Sequence, residues 1–112
     1  MSRPDNQKLF RIAFLNHGKV YELFSTGVCT SGLLGFIEVS GLELGDNDSL
    51  VIDPTEEKMR NEFDGVEILY LPMHSVLRVE QVKKKGPAVI RDRESGEKVT
   101  PFPIQPGGRN RA

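Results

Sequence analysis

The chain has 112 residues and a mass of 12.5 kDa, 38% of it hydrophobic and 28% charged, which suits an ordinary soluble domain with one core and leaves no room for a second. No apolar run approaches the roughly 20 residues needed to cross a bilayer, and a single cysteine, Cys29, excludes an internal disulfide. The net charge of −1 conceals a split: residues 1–82 carry 7 Lys and Arg against 13 Asp and Glu, whereas residues 83–112 carry 8 against 3, so basic charge collects in the C-terminal tail.

Residues 1–7 read as a flexible polar lead without an apolar signal core, which points to the cytoplasm. Lys8 to Asn16 alternates Phe10, Ile12 and Phe14 against Arg11 and Ala13, the period of a strand with one buried face. Asn16 to Lys19 reads as a hairpin turn around Gly18, and Val20 to Ser25 as the returning strand. Thr26 to Gly32 is small and polar: a loop, a bulge or the start of the next strand. Leu33 to Leu44 reads as a third, strongly curved strand, with Gly35 and Gly41 allowing the bend. Residues 45–49 have turn composition, and Leu50 to Ile52 reads as a brief buried strand.

Asp53-Pro54-Thr55-Glu56-Glu57 is a helix start, with Asp53 as cap, Pro54 at the first position and two glutamates at the positive end. The helix is predicted to run to about Phe63, with Met59 and Phe63 facing the core. Gly65 to Val82 then holds two β-type runs joined at Pro72, the first ending near Leu71 and a tight bend following through Met73 and His74. The apolar residues of these runs, among them Val66, Ile68, Tyr70, Val76, Leu77 and Val79, are expected to enclose a shared interior. Lys83-Lys84-Lys85-Gly86-Pro87 closes the compact domain, Ala88 to Arg91 allows one short edge strand, and residues 91–112 read as a mobile Pro/Gly-rich basic tail. The prediction is a mainly β (α+β) domain over residues 8–90. It is a small, strongly bent antiparallel sheet or SH3-like barrel of about five strands, with one short helix before the last two.

Four segments, Val20 to Phe24, Gly35 to Val39, Val51 to Lys58 and Tyr70 to Val79, resemble a small bacterial family catalogued as domain of unknown function eighteen-twenty. The likeness covers roughly residues 8–90 and rests on D-P-T-E-E-K and L-P-M-H-S-V-L-R in the same order and about the same spacing. It implies a cytoplasmic protein of unassigned role and transfers no catalytic or binding residue. The curved strand, bend and final strand are also similar to SH3-like and Sm-like small barrels, from which the helix at Pro54 to Phe63 departs.

Chemistry is sparse. His17 and His74 with one cysteine do not make a metal cluster, and Cys29 has no activating motif. Asp53, Glu56 and Glu57 are accounted for by capping, and no phosphate loop or dinucleotide fingerprint is present, so no enzyme, metal or cofactor is predicted. Binding remains. Strand edges at Lys8 to Asn16 or Val76 to Val82 suit pairing with a second copy or another protein. The candidate binding residues are Tyr70, His74, Arg78, Lys83, Lys84, Lys85, Arg91 and Arg93. The alternative partner is nucleic acid, held by basic residues of the tail with Tyr21, Phe36 or Tyr70 stacking on bases if exposed.

Overall fold

A computed structural model describes residues 7–44 and 53–101. The lead 1–6, the turn and brief strand expected over 45–52, and the tail from residue 102 lie outside the described residues.

Strand β1, Leu9–Asn16, turns Ile12 and Phe14 into the core, and Arg11 and Ala13 fall on the opposite face by alternation. His17 and Gly18 both adopt positive φ, 55° and 75°, the pair of dihedrals that lets a two-residue turn match the twist of its strands. Strand β2, Lys19–Cys29, returns antiparallel with Ile12 opposite Leu23 and Phe14 opposite Tyr21. It is longer than Val20 to Ser25, because Thr26 to Cys29, whose strand pattern Gly27 interrupts, gain a partner in β3, Phe36–Glu43.

The bend in this pair sits at Gly41. Core-facing positions are Leu23 in β2 and Leu42 in β3 before the bend, and Val28 and Val39 beyond it, so the inward parity changes in both strands. Gly41 has φ +66°, and a Cβ there would lie 2.0 Å from the Thr26 hydroxyl, so a side chain at this position is strained and must displace Thr26.

Asp53 caps the helix α1, Pro54–Glu62, accepting from the Thr55 N–H at 2.9 Å. Met59 is fully buried and Phe63 packs beside it, as the spacing predicts. Strand β4, Ile68–Pro72, ends at the proline; a 3-10 turn, Met73–Ser75, leads to β5, Val76–Val82; β6, Val89–Asp92, follows.

The result is one mainly β domain: a six-stranded antiparallel sheet in the order β4-β3-β2-β1-β5, with β6 on β2. Strand β2 holds β1 along one edge and divides the other between β6 (residues 19–22) and β3 (residues 24–29). Strands β4 and β5 do not pair with each other. They end the hydrogen-bonded path and are joined through the 3-10 turn, so the ladder does not close into a barrel.

Two expectations need correction. The edge of Lys8 to Asn16 is not open, because β5 occupies the side of β1 that β2 leaves free. The apolar residues of the two runs do not all face an interior: Ile68, Tyr70, Leu77 and Val79 are 43%, 44%, 54% and 39% exposed. In β4 the alternation sends Leu69 and Leu71 inward and leaves Ile68 and Tyr70 outside. In β5 a register shift takes the partner of β1 from Arg78 to Val76, which drops Leu77 out of the ladder.

The chain also stays on the domain past residue 90. The Val99 N–H donates to the Ile90 carbonyl at 2.7 Å, Arg91 bridges Lys98, and Asp92 Oδ2 accepts from the N–H groups of Glu94 and Ser95 to close the turn between them.

Candidate functional site

Two surfaces collect residues that packing does not use. The first is the run β4, 3-10 turn, β5 at the two ends of the sheet. Among the described residues β4 pairs only with β3, and β5 only with β1, so each presents one edge of unpaired backbone N–H and C=O groups. Ile68 and Tyr70 stand out from β4, Leu77 and Val79 from β5, and Met73 from the turn between them. The β2–β3 loop extends the patch: the Met73 N–H donates to the Gly35 carbonyl at 2.9 Å, which brings the loop of Leu33 and Leu34 against the turn. Leu34 is 97% exposed. His74 is exposed in that turn, whose backbone is tied by Ser75 Oγ donating to the Pro72 carbonyl at 2.8 Å.

The second surface is the outer face of β5, β1, β2 and β6. Here Arg78 and Arg91, two of the predicted residues, line one hollow of about 390 Å³ together with Arg11, Glu22 and Glu80. Glu80 takes the Arg11 guanidinium on one oxygen, at 2.7 Å from Nε, and Arg78 at 3.5 Å on the other; Glu22 takes Arg91 at 2.9 Å.

The remaining predicted residues separate from these. Lys83 and Lys84 are exposed after β5, and Arg93 is exposed in the turn after β6. Lys85 lies over the Phe24 ring and 3.5 Å from Glu56, a structural position. Tyr21 is buried and cannot stack on a base: its hydroxyl donates to Glu62 at 3.0 Å and accepts from Lys58 at 3.0 Å. Phe36 is half-buried.

That tyrosine lies at the joint between the first hairpin and the helix. Glu62 also accepts from Asn16 at 2.9 Å and meets His17 at 3.1 Å. Burial alone would raise the Glu62 carboxyl, but the hydrogen bonds from Asn16 and Tyr21 and the nearby Lys58 charge outweigh it and hold the group below its ordinary range. Burial raises the Tyr21 hydroxyl, and the hydrogen bond to Tyr21 raises Lys58. Cys29 is exposed, its thiol lowered by hydrogen bonds with Ser31. Among the described residues no group of three or more His, Cys, Asp or Glu could hold a metal ion, and no helix is long and apolar enough to cross a membrane.

Sequence reasoning missed Glu56. Capping explains its position but not its partners: the side chain is buried, Oε2 accepts the Ala88 N–H at 2.7 Å, and Oε1 is buried without a partner among the described residues. It also missed Arg11 and Ala13 as neighbours of Arg78, a contact that depends on the long-range register of β1 with β5. The exposed Leu33 and Leu34 had a local signal, two glycines flanking them.

Comparison with known families gives a match over most of the chain. Residues 8–104 fit the family model described as Domain of unknown function (DUF1820). No curated protein and no solved structure matches.

Proposed function

We propose that this chain, which belongs to the DUF1820 family, is a non-catalytic cytoplasmic interaction module that self-associates through the two ends of its sheet. The observation that carries the reading is the coincidence of open backbone and exposed apolar side chains on the same two strands. Strand β4 offers Ile68 and Tyr70, and β5 offers Leu77 and Val79, each beside an unpaired edge among the described residues. Such edges recruit another strand, and apolar side chains beside them add burial to the main-chain hydrogen bonds. A second copy supplies the complement, because β4 of one molecule and the longer β5 of another extend the antiparallel order already present. The strand order, with a single 3-10 turn between the two end strands, suits the strongly bent antiparallel sheet expected from the sequence.

Light scattering on the full chain at tens of micromolar tests it. The expected result is a dimer or larger species that falls to a 12.5 kDa monomer on Ile68→Lys or Val79→Lys. A monomeric wild type overturns the reading.

A second reading, nucleic-acid binding, draws support from Lys83, Lys84 and Arg93, which are all exposed. Filter binding of single-stranded RNA at two salt concentrations tests it: phosphate contact weakens as salt rises, and no retention at low salt removes it.

A further inference from the structure

The hollow on the outer face of the sheet shares Leu77 and strand β5 with the edge surface, but its residues converge within one molecule whether or not that edge is paired. From its geometry we infer that it is a binding site for a small phosphomonoester, with the phosphoryl group on Arg78 and Arg91 and the body of the ligand over Ala13.

The depth of the hollow comes from one residue. Ala13 in β1 stands directly opposite Arg78 of β5 on one side and Glu22 of β2 on the other, so a methyl group sits between long cross-strand neighbours on one face. Val20, directly opposite Arg91, and Leu77, displaced from the ladder by the register shift, complete an apolar floor. A space of about 390 Å³ is wider than a bare phosphate ion needs and lies in the range of small-molecule sites.

The charge points the same way. Three arginines meet two carboxylates there. Arg11 and Arg91 are held by Glu80 and Glu22 through their Nε atoms, which fixes the guanidinium planes and leaves other N–H donors on each free for a ligand. Arg91 is fixed further by donating from Nη1 to the Gly96 carbonyl at 3.1 Å. Arg78 shares a carboxylate that Arg11 already takes twice, at 3.5 Å, and its side chain is 69% exposed, so its charge is the least compensated of the three. The Arg11–Glu80 and Arg91–Glu22 pairs are part-buried and brace the sheet, whereas the Arg78–Glu80 contact is long and exposed and contributes little to stability; the fork of donors on Arg78 beside two prepositioned ones suits a phosphoryl group.

The test is a titration of the full chain followed by amide and arginine Nε–H NMR signals, with phenyl phosphate, inorganic phosphate, benzoate and phenol as probes. The expected result is a saturable shift of residues 11–13, 77–80 and 91 with phenyl phosphate, a weaker one with inorganic phosphate and none with phenol. Arg78→Gln should weaken phenyl phosphate about tenfold, the loss of one charge-assisted contact. Ala13→Leu keeps all three arginines but fills the floor, and should abolish the response to phenyl phosphate. Lys83→Gln with Lys84→Gln, outside the hollow, should leave the affinity within about twofold. Benzoate binding as tightly as phenyl phosphate overturns the phosphoryl assignment. No saturable shift at millimolar phenyl phosphate, or unchanged affinity in both Arg78→Gln and Ala13→Leu, overturns the site.

Discussion

In the middle of the sheet Ile12, Leu23 and Val39 have no exposed surface, whereas Ile68, Tyr70, Leu77 and Val79 at its two ends each keep more than a third of theirs. Both regions are written in the same residue types with the same alternation. The difference is the face each residue takes and its distance from the middle of the sheet. Strands β1, β2 and β3 have a partner on each side, and the core beneath them includes Met59 of α1. Strands β4 and β5 have one partner each: in β4 the alternation that buries Leu69 and Leu71 puts Ile68 and Tyr70 on the outer face opposite Ser40 and Glu38, and in β5 Val79 stands opposite the buried Ile12 but at the margin of the sheet. A hydrophobic period therefore identifies a strand, but only strand order says whether both of its faces find cover.

Substitutions should separate the two regions by size of effect. Ile12→Ala, at a fully buried position, is expected to cost about 2–5 kcal/mol in denaturant unfolding, the range for a cavity in a packed core. Glu56→Ala leaves the Ala88 N–H without its acceptor at a buried site and should cost about 1–3 kcal/mol, with faster hydrogen exchange in β6 before the rest of the sheet. Exchange that stays uniform would break the link drawn between α1 and β6. Gly41→Ala forces a side chain into the left-handed region and against Thr26, for about 1–2 kcal/mol.

The joint at Glu62 sharpens the comparison through pH. Its folded carboxyl lies below the free value of 4.5, so its stabilisation is fully present above that value and is lost as the pH falls through the folded value. The stability gap between the wild type and Glu62→Gln should accordingly be constant near neutrality and narrow below pH 4.5; a gap that widens on acidification would reverse the assigned direction. The smallest effect belongs to the ends. Ile68→Ser should change monomer stability by no more than about 0.5 kcal/mol while it removes self-association. A loss as large as that of Ile12→Ala would mean that the ends belong to the core after all.

Local signals were legible wherever a residue acts on its own neighbours. Asp53 and Pro54 start the helix, His17 and Gly18 turn the hairpin, and Pro72 ends β4, because capping, positive φ and a missing N–H operate within a few residues. Gly41 belongs to the same class, its bend visible as a glycine inside a strand pattern. Of the predicted binding residues, only Arg78 and Arg91 meet at one hollow; Lys85 turned out to be structural, and Tyr70 and His74 lie on the sheet-end surface.

By itself the sequence determined the element types, the break at Pro72 and the membership of one mainly β domain, since these follow from backbone chemistry and from hydrophobic period. Tertiary structure alone decided that β1 lies between β2 and β5, that β2 extends through Cys29, that Glu56 holds Ala88, and that Arg11, Arg78 and Arg91 line one hollow with Ala13. Each of these joins residues far apart in the chain, and no local preference encodes which of several compatible strands becomes a neighbour.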